Sequence, residues 1–263
     1  MTGWLYGPGS MQYSSHVGAS NMSALPNETT PGMVMPQQRE PIIQLDDVRL
    51  TLAGGSGPVN VLNGLNLSVD PGETVSVVGP SGSGKTTMLM LVAGLERASS
   101  GRVVVAGRDL SRLSEDELAR FRRGRVGIVF QAFHLIAAMT ALENVALPLE
   151  YAGRAEALRL AAAGLEAVGL AGRAGHYPGQ LSGGEQQRVA IARAFACAPD
   201  ILLADEPTGN LDQDTGNRVV ELLFELQRRH NSTLLLITHD PGLASRCARR
   251  ILMRDGLCQE EQT

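Results

Sequence analysis

From residue 41 onward, short apolar runs alternate with glycine-punctuated turns. Residues 42–45 and 61–69 are rich in Ile, Leu and Val and flank a Gly-rich turn at 53–58, which predicts β-structure there. Residues 73–78, Glu-Thr-Val-Ser-Val-Val, make a further strand-like run, and the apolar stretch 87–93 is helix-like. Residues 101–107 read as a short strand closed by glycine at both ends. Residues 113–123 predict a helix that opens on a capping-box pattern, Ser114 with Glu117 three positions later. Residues 126–130 are an apolar run of strand length. Residues 140–179 are Ala- and Leu-rich with helical spacing and predict an all-helical insert. After it, 201–204 and 233–238 are continuous apolar runs, as buried parallel strands are, with a helix predicted between them at 221–229. There is no internal repeat.

Residues 1–40 follow a different pattern. They are rich in Gly, Ser, Pro, Asn and Met, with no periodic apolar face, and a disordered tail is expected. A basic start followed by an apolar core is missing, so the stretch does not read as a signal peptide. Met33 or Met35 is the expected start of translation, with the tail otherwise dispensable.

The chain has 263 residues, enough for one large domain or two small ones. Its net charge of −4 and the lack of any Lys/Arg-rich block give no electrostatic footprint for nucleic acid. The densest basic cluster, Arg120, Arg122, Arg123 and Arg125, reads as a solvated face before it reads as a functional patch. Cys197, Cys247 and Cys258 are far apart and form no CxxC pair, which argues for reduced thiols in a cytosolic protein. No run approaches the length of a membrane-spanning helix.

The chemistry concentrates at Gly79, Pro80, Ser81, Gly82, Ser83, Gly84, Lys85 and Thr86, with Thr87 opening the apolar run behind them. This is the GxxxxGK[ST] spacing between a strand and a helix. Glycines let successive backbone N–H groups curl around a polyphosphate, and the helix start adds donors and a positive dipole end. Lys85 supplies a mobile positive charge for the outer phosphates, and Thr86 a hydroxyl for Mg²⁺. Asp205 and Glu206 end the strand-like run 201–204; Asp205 is placed to hold Mg²⁺ and Glu206 to polarise a water, although an ordinary Asp-Glu turn has the same sequence. Ser182, Gly183 and Gly184 open another helix-like run, either as a second anion site or as a plain helix cap. Two phosphate-binding helix starts in one chain point to a site assembled from two copies.

The run Leu181-Ser-Gly-Gly-Glu-Gln186 is similar to the signature motif of ABC-type ATPases. The order of motifs also resembles that family, over about residues 41–258: the glycine loop, Gln131 after a strand, the signature, Asp205-Glu206, Asp212, and His239 after the last strand. The resemblance implies an α/β fold: a phosphate-loop NTPase (RecA-like) core in 41–263 with an antiparallel β subdomain and an α-helical subdomain at about 131–184. It also implies a Mg²⁺-dependent ATPase with Lys85, Glu206 and His239 catalytic, and with Thr86, Gln131 and Asp205 at the metal. Ser182, Gly183 and Gly184 would contact ATP held by a second copy in a head-to-tail dimer, and Asp212 would lie at the dimer interface. The implied partner is an integral-membrane permease with an extracytoplasmic domain, which places the chain at the cytoplasmic face of the inner membrane. His134, Met139 and Glu143 are docking candidates by position, with ordinary helix packing or surface exposure as the equal alternative.

Three stretches, 129–135, 141–148 and 205–212, resemble one branch, the ATPases of lipoprotein release, macrolide export and cell division. The branch implies export or extraction of a lipophilic or peptide cargo, or alternatively a signalling ATPase that moves a permease-like partner without transport. The family's usual adenine-stacking aromatic is replaced by Leu52, so weak discrimination between ATP and GTP is expected.

Overall fold

The computed structural model of the chain describes residues 40–54 and 57–260. The expected tail lies outside them, apart from Glu40. The first half of the described chain runs β1 (Ile43–Gly54), β2 (Gly57–Val69), β3 (Thr74–Val78), α1 (Lys85–Val92), β4 (Ser100–Val105), β5 (Arg108–Asp109), α2 (Glu115–Arg125) and β6 (Val126–Phe130). The second half runs α3 (Ala141–Tyr151), α4 (Ala157–Ala167), α5 (Gly183–Phe195), β7 (Ile201–Asp205), α6 (Gln213–His230), β8 (Thr233–Ile237), α7 (Pro241–Ala244), β9 (Arg249–Arg254) and β10 (Leu257–Glu260).

Two sheets form. β2, β1, β4 and β5 make an antiparallel sheet in that order. Its strands alternate as a half-buried sheet must: Leu65, Leu67 and Val69 are buried while Asn66 and Ser68 between them are exposed. The second sheet has the order β10-β9-β3-β8-β7-β6 and is parallel except for the outer β9–β10 pair. Its central strands are apolar throughout because both faces are covered. Ile201, Leu202, Leu203 and Ala204 are all inaccessible, as are Leu234, Leu235 and Leu236. α1 packs Met88, Leu89 and Val92 into one face together with the antiparallel sheet. α3, α4, α5 and α6 cover the other face, with Val145, Leu165, Ile191 and Leu223 in their shared core.

Register decides where the chemistry falls. Val77 lies opposite Ile237, and Asp205 lies opposite the same Ile237 on the other side. The carboxyl ends of β3, β7 and β8 therefore meet along one edge, where ligands of parallel sheets bind.

Several elements differ from expectation in extent. The helix expected at 221–229 spans Gln213–His230, capped at its start by the Asp212 carboxylate, which accepts from Thr215 N at 3.0 Å. It ends at Asn231, whose φ of 51° breaks the helix. β9 and β10 carry no long apolar run, yet they extend the sheet: β9 pairs with β3 and buries Ile251 and Met253, and β10 is the edge strand, paired to β9 alone. α2 continues past 123 to Arg125 across a kink at Arg123 and Gly124.

Candidate nucleotide-binding site

The glycine loop spans the gap between β3, which ends at Val78, and α1, which begins at Lys85. Gly79 sits at φ 152° with no room for a side chain: a Cβ there would lie 2.1 Å from the Met253 carbonyl oxygen. Gly84, at φ 101°, precedes the first helical residue, so the start of α1 opens into the loop. Lys85 folds back over the loop and donates from Nζ to the carbonyls of Gly79 at 2.9 Å and Pro80 at 2.8 Å. Its charge is thereby held where the loop would wrap a phosphate chain.

Facing the loop, Thr86 Oγ1 donates to Asp205 Oδ2 at 2.9 Å. Burial pushes the Asp205 carboxyl above its ordinary range; the Thr86 hydroxyl opposes the shift, neighbouring Glu206 adds to it, and Lys85 opposes it more weakly. Glu206 stands in a left-handed conformation, φ 46°, fixed by its N–H donating to Ile237 O at 2.9 Å. Glu206 Oε2 lies 2.9 Å from His239 Nδ1 and accepts from His239 N at 3.3 Å. Gln131 is tied to Asn210 in both directions: Gln131 Nε2 donates to Asn210 Oδ1 at 3.1 Å, and Asn210 Nδ2 donates to Gln131 O at 2.9 Å.

These groups, Asn210 and Pro80 apart, line one cavity of about 530 Å³. Of the residues picked from sequence, Gly79, Ser81, Gly82, Gly84, Lys85, Thr86, Thr87, Gln131, Asp205, Glu206 and His239 are on its walls. Pro80 and Ser83 belong to the loop without lining the cavity; Ser83 is buried, and both lie against the Lys85 ammonium. Ser182, Gly183 and Gly184 are not on these walls. They open α5, where Ser182 Oγ accepts from Glu185 N at 3.3 Å and the Glu185 carboxylate accepts from Ser182 N at 2.9 Å. Both readings from sequence, cap and anion site, remain compatible with this geometry. Gly184 is also a packing requirement, since a Cβ there would meet Thr215 Cγ2 at 2.3 Å.

Sequence reasoning did not pick out Asn210, Val61 or Gln187. Val61 brings an aliphatic wall from β2 to the cavity. Gln187 is inaccessible and donates to Pro207 O at 2.6 Å, holding the turn after Glu206 against α5. Their amide and aliphatic side chains carry no motif on their own. Leu52 is 41% exposed on β1, opposite Val59, and among the described residues no Phe, Tyr or Trp lines the cavity.

The residues fit Mg²⁺ bound with a nucleotide. Among the described residues no three or more His, Cys, Asp or Glu side chains are grouped as a metal cage. Mg²⁺ needs no such cage: it keeps several waters and takes one or two protein oxygens plus phosphates. The paired Thr86 hydroxyl and Asp205 carboxylate supply donors of that kind.

A glycine loop joining a parallel strand to a helix, with its lysine and threonine facing a strand-end aspartate, defines the class of phosphate-loop nucleoside triphosphatases. Within that class the chain belongs to the ABC transporter family, whose family model, described as ABC transporter, matches residues 62–209. It is 48% identical over 224 residues to the uncharacterized ABC transporter ATP-binding protein YbbA of Escherichia coli (strain K12), covering 84% of this chain and 98% of that one. It is 49% identical over 216 residues to the lipoprotein-releasing system ATP-binding protein LolD of Geobacter metallireducens, covering 81% and 96%. The ATP-binding cassette MJ0796, solved as a dimer in a post-hydrolysis state bound to ADP and Pi, superposes with a TM-score of 0.78 at 40% identity, covering 84% of this chain and 99% of that one. The chain is an ATP-binding, ATP-hydrolysing protein of this family.

Proposed function

We propose that this chain is the ATP-hydrolysing subunit of a transporter that powers export or extraction of a lipophilic or peptide cargo through a separate permease. The observation that carries this reading is the division of the motifs. Loop, Thr86–Asp205 pair, Gln131, Glu206 and His239 share one cavity, whereas the signature residues Ser182–Gly184 lie outside it at the start of α5. One chain therefore holds each half of a nucleotide site in a different place. Two copies arranged head to tail complete both sites, each ATP lying between one chain's glycine loop and the other's signature. The MJ0796 cassette is dimeric and supports this arrangement.

In the completed site Lys85 moves from its loop carbonyls to the outer phosphates. Glu206 orients the attacking water, and His239, already 2.9 Å from Glu206, stands beside it as a donor to the γ-phosphate. Thr86, Gln131 and Asp205 would hold Mg²⁺, which supplies charge neutralisation across the phosphates when bound. Gln131 Nε2 is engaged with Asn210, so its Oε1 would be the atom offered to the metal.

Among the described residues no helix is long and apolar enough to cross a membrane. A separate membrane partner needs a docking surface, and a groove of about 430 Å³ between α2, β6, α3 and α5 supplies one. Ile128, Phe130, Leu147 and Pro148 make it apolar, and Arg122, Arg123 and Arg193 border it. That combination suits an amphipathic helix with an acidic edge. The groove widens the candidate docking region beyond His134, Met139 and Glu143; Glu143 is engaged in capping α3 through Thr140. In this reading residues 41–263 are the ATPase, attached to the cytoplasmic face of the membrane through a permease with an extracytoplasmic domain, and residues 1–40 are a dispensable tail.

The test is co-expression with the permease encoded beside this chain, solubilisation, and measurement of ATP hydrolysis. A stable complex with stimulated turnover supports the reading. A chain that binds no membrane protein and hydrolyses ATP alone refutes it. Stimulated turnover with no cargo moved into vesicles would instead favour a mechanotransmission ATPase.

A further inference from the structure

The turn after Gln131 is held in place by a side chain from a helix sixty residues away in sequence. Phe133 and His134 both have positive φ, 61° and 49°. Residues with side chains leave that region unless their surroundings hold them there. The hold comes from Arg193 on α5, whose Nη1 donates to His134 O at 2.6 Å and Nη2 to Phe133 O at 2.8 Å. A planar guanidinium fork serves the two carbonyls from two separate nitrogens in a fixed geometry, which the single nitrogen of a lysine at this position does not match.

Arg193 also borders the apolar groove between α2, β6, α3 and α5. Burial pulls its pKa below the ordinary arginine value, and arginine stays charged nevertheless. Among the described residues no carboxylate pairs with it. Phe130, immediately before Gln131, lines the same groove, and its ring centroid lies 4.6 Å from that of His134. On the far side of the turn the inaccessible Asn144 on α3 donates to the carbonyls of Ile136, Met139 and Thr140 and accepts from Ile136 N. The segment between β6 and α3 is thus pinned at two points to the two helices that wall the groove, and its first residue, Gln131, lines the nucleotide cavity.

We propose that Arg193 is a positioning residue that sets the turn after Gln131 and carries occupation of the groove to the nucleotide cavity, a role that rests on the groove being the permease site. A carboxylate arriving in the groove meets an uncompensated guanidinium, and a charged acceptor binds it more strongly than a carbonyl does. The carbonyl bonds to Phe133 and His134 then weaken. The turn relaxes, and Gln131 is released toward the metal and γ-phosphate region. The path is a contiguous set of contacts through one side chain with two sets of partners.

The experiment compares the native chain with Arg193→Lys and Arg193→Met, each alone and in complex with the co-expressed permease. Hydrogen exchange in the free chain reads the hold on the turn directly. In Arg193→Lys the amides of residues 133–136 should exchange about tenfold faster, as expected for loss of a charge-assisted bond, with α5 and the glycine loop unchanged. In the complex, KM for ATP should stay within about twofold while permease-stimulated kcat falls at least about fivefold, the low end of ordinary coupling between sites. Unchanged exchange at 133–136, or native stimulation in Arg193→Lys, overturns the proposal. Should Arg193→Met fail to fold, the lysine variant decides alone. A native chain that binds no permease overturns the docking reading and the coupling role together, while the exchange result still reports whether Arg193 holds the turn.

Discussion

Replacing Glu206 by glutamine separates catalysis from binding at this site. Glutamine keeps the volume and a carbonyl oxygen where Glu206 Oε2 now accepts from His239 N at 3.3 Å. The left-handed backbone at φ 46° and the bond from Glu206 N to Ile237 O are unaffected by the change. Lys85, the glycine loop and the Thr86–Asp205 pair are untouched, so the groups that take the phosphates remain. In the proposed mechanism, what is lost is the carboxylate that orients and deprotonates water, a contribution of about 10²–10⁴ in rate. That converts to about 2.7–5.4 kcal/mol of transition-state stabilisation. The measurement is phosphate release at saturating ATP alongside nucleotide Kd by fluorescence titration. Expected are a kcat lower by at least about a hundredfold, a Kd within about twofold, and a dimer that persists in ATP on size-exclusion chromatography. A kcat reduced less than about tenfold, or a loss carried wholly by Kd, refutes the assignment of Glu206.

Leu52→Tyr should restore a ring at the position where the family resemblance expects the base-stacking aromatic; a stack is worth about 1–3 kcal/mol, so ATP affinity should rise roughly 5- to 150-fold. The native chain is expected to hydrolyse GTP and ATP at similar rates, and a hundredfold native preference for ATP would contradict this. Asp205→Asn should abolish Mg²⁺-dependent hydrolysis yet raise Tm at neutral pH. The folded state holds the Asp205 carboxyl above its ordinary range, so its ionisation costs stability as pH rises past that range, and the amide removes the cost. The gain should show as a higher Tm in thermal melts at neutral pH that disappears below the ordinary carboxylate range. Ser182→Ala should cost about 1 kcal/mol through the lost cap, without weakening ATP binding to the monomer. Bonds from Ser182 hold Glu185 below the ordinary carboxylate range, so their stabilisation is full above that range and fades as acid protonates Glu185. The variant's deficit should therefore shrink in acid denaturation. Alkylation of Cys247 and Cys258 should be slow at neutral pH, because burial pushes their thiols up to about 12 and about 11.

Local signals were sufficient wherever a residue's role is set by its immediate neighbours. The strand–loop–helix around Lys85 was legible because glycines, lysine and threonine at fixed spacing serve one purpose. The buried parallel strands β7 and β8 announced themselves as unbroken apolar runs, and Ser114 with Glu117 forms the capping box its spacing predicts. β9 and β10 were not legible, since β9 forms because β3 offers it a partner, and β10, the edge strand, needs little apolar sequence and is held by β9 alone. Nor was the true length of α6, whose first turns are polar and are stabilised by the Asp212 cap and by burial of Gly216 and Val219.

The sequence by itself determined the family and the class of chemistry, and it marked two helix starts as candidate phosphate sites. Only the tertiary structure decided which residues meet. Asp205 reaches Thr86 across 119 positions, and Glu206 reaches His239 across 33, because parallel register aligns strand ends that are remote along the chain. The same packing places Ser182–Gly184 outside the cavity and Arg193 between groove and turn. Hydrophobic periodicity encodes which face of an element is buried, but not which other element covers it, and the covering element is what sets these distances.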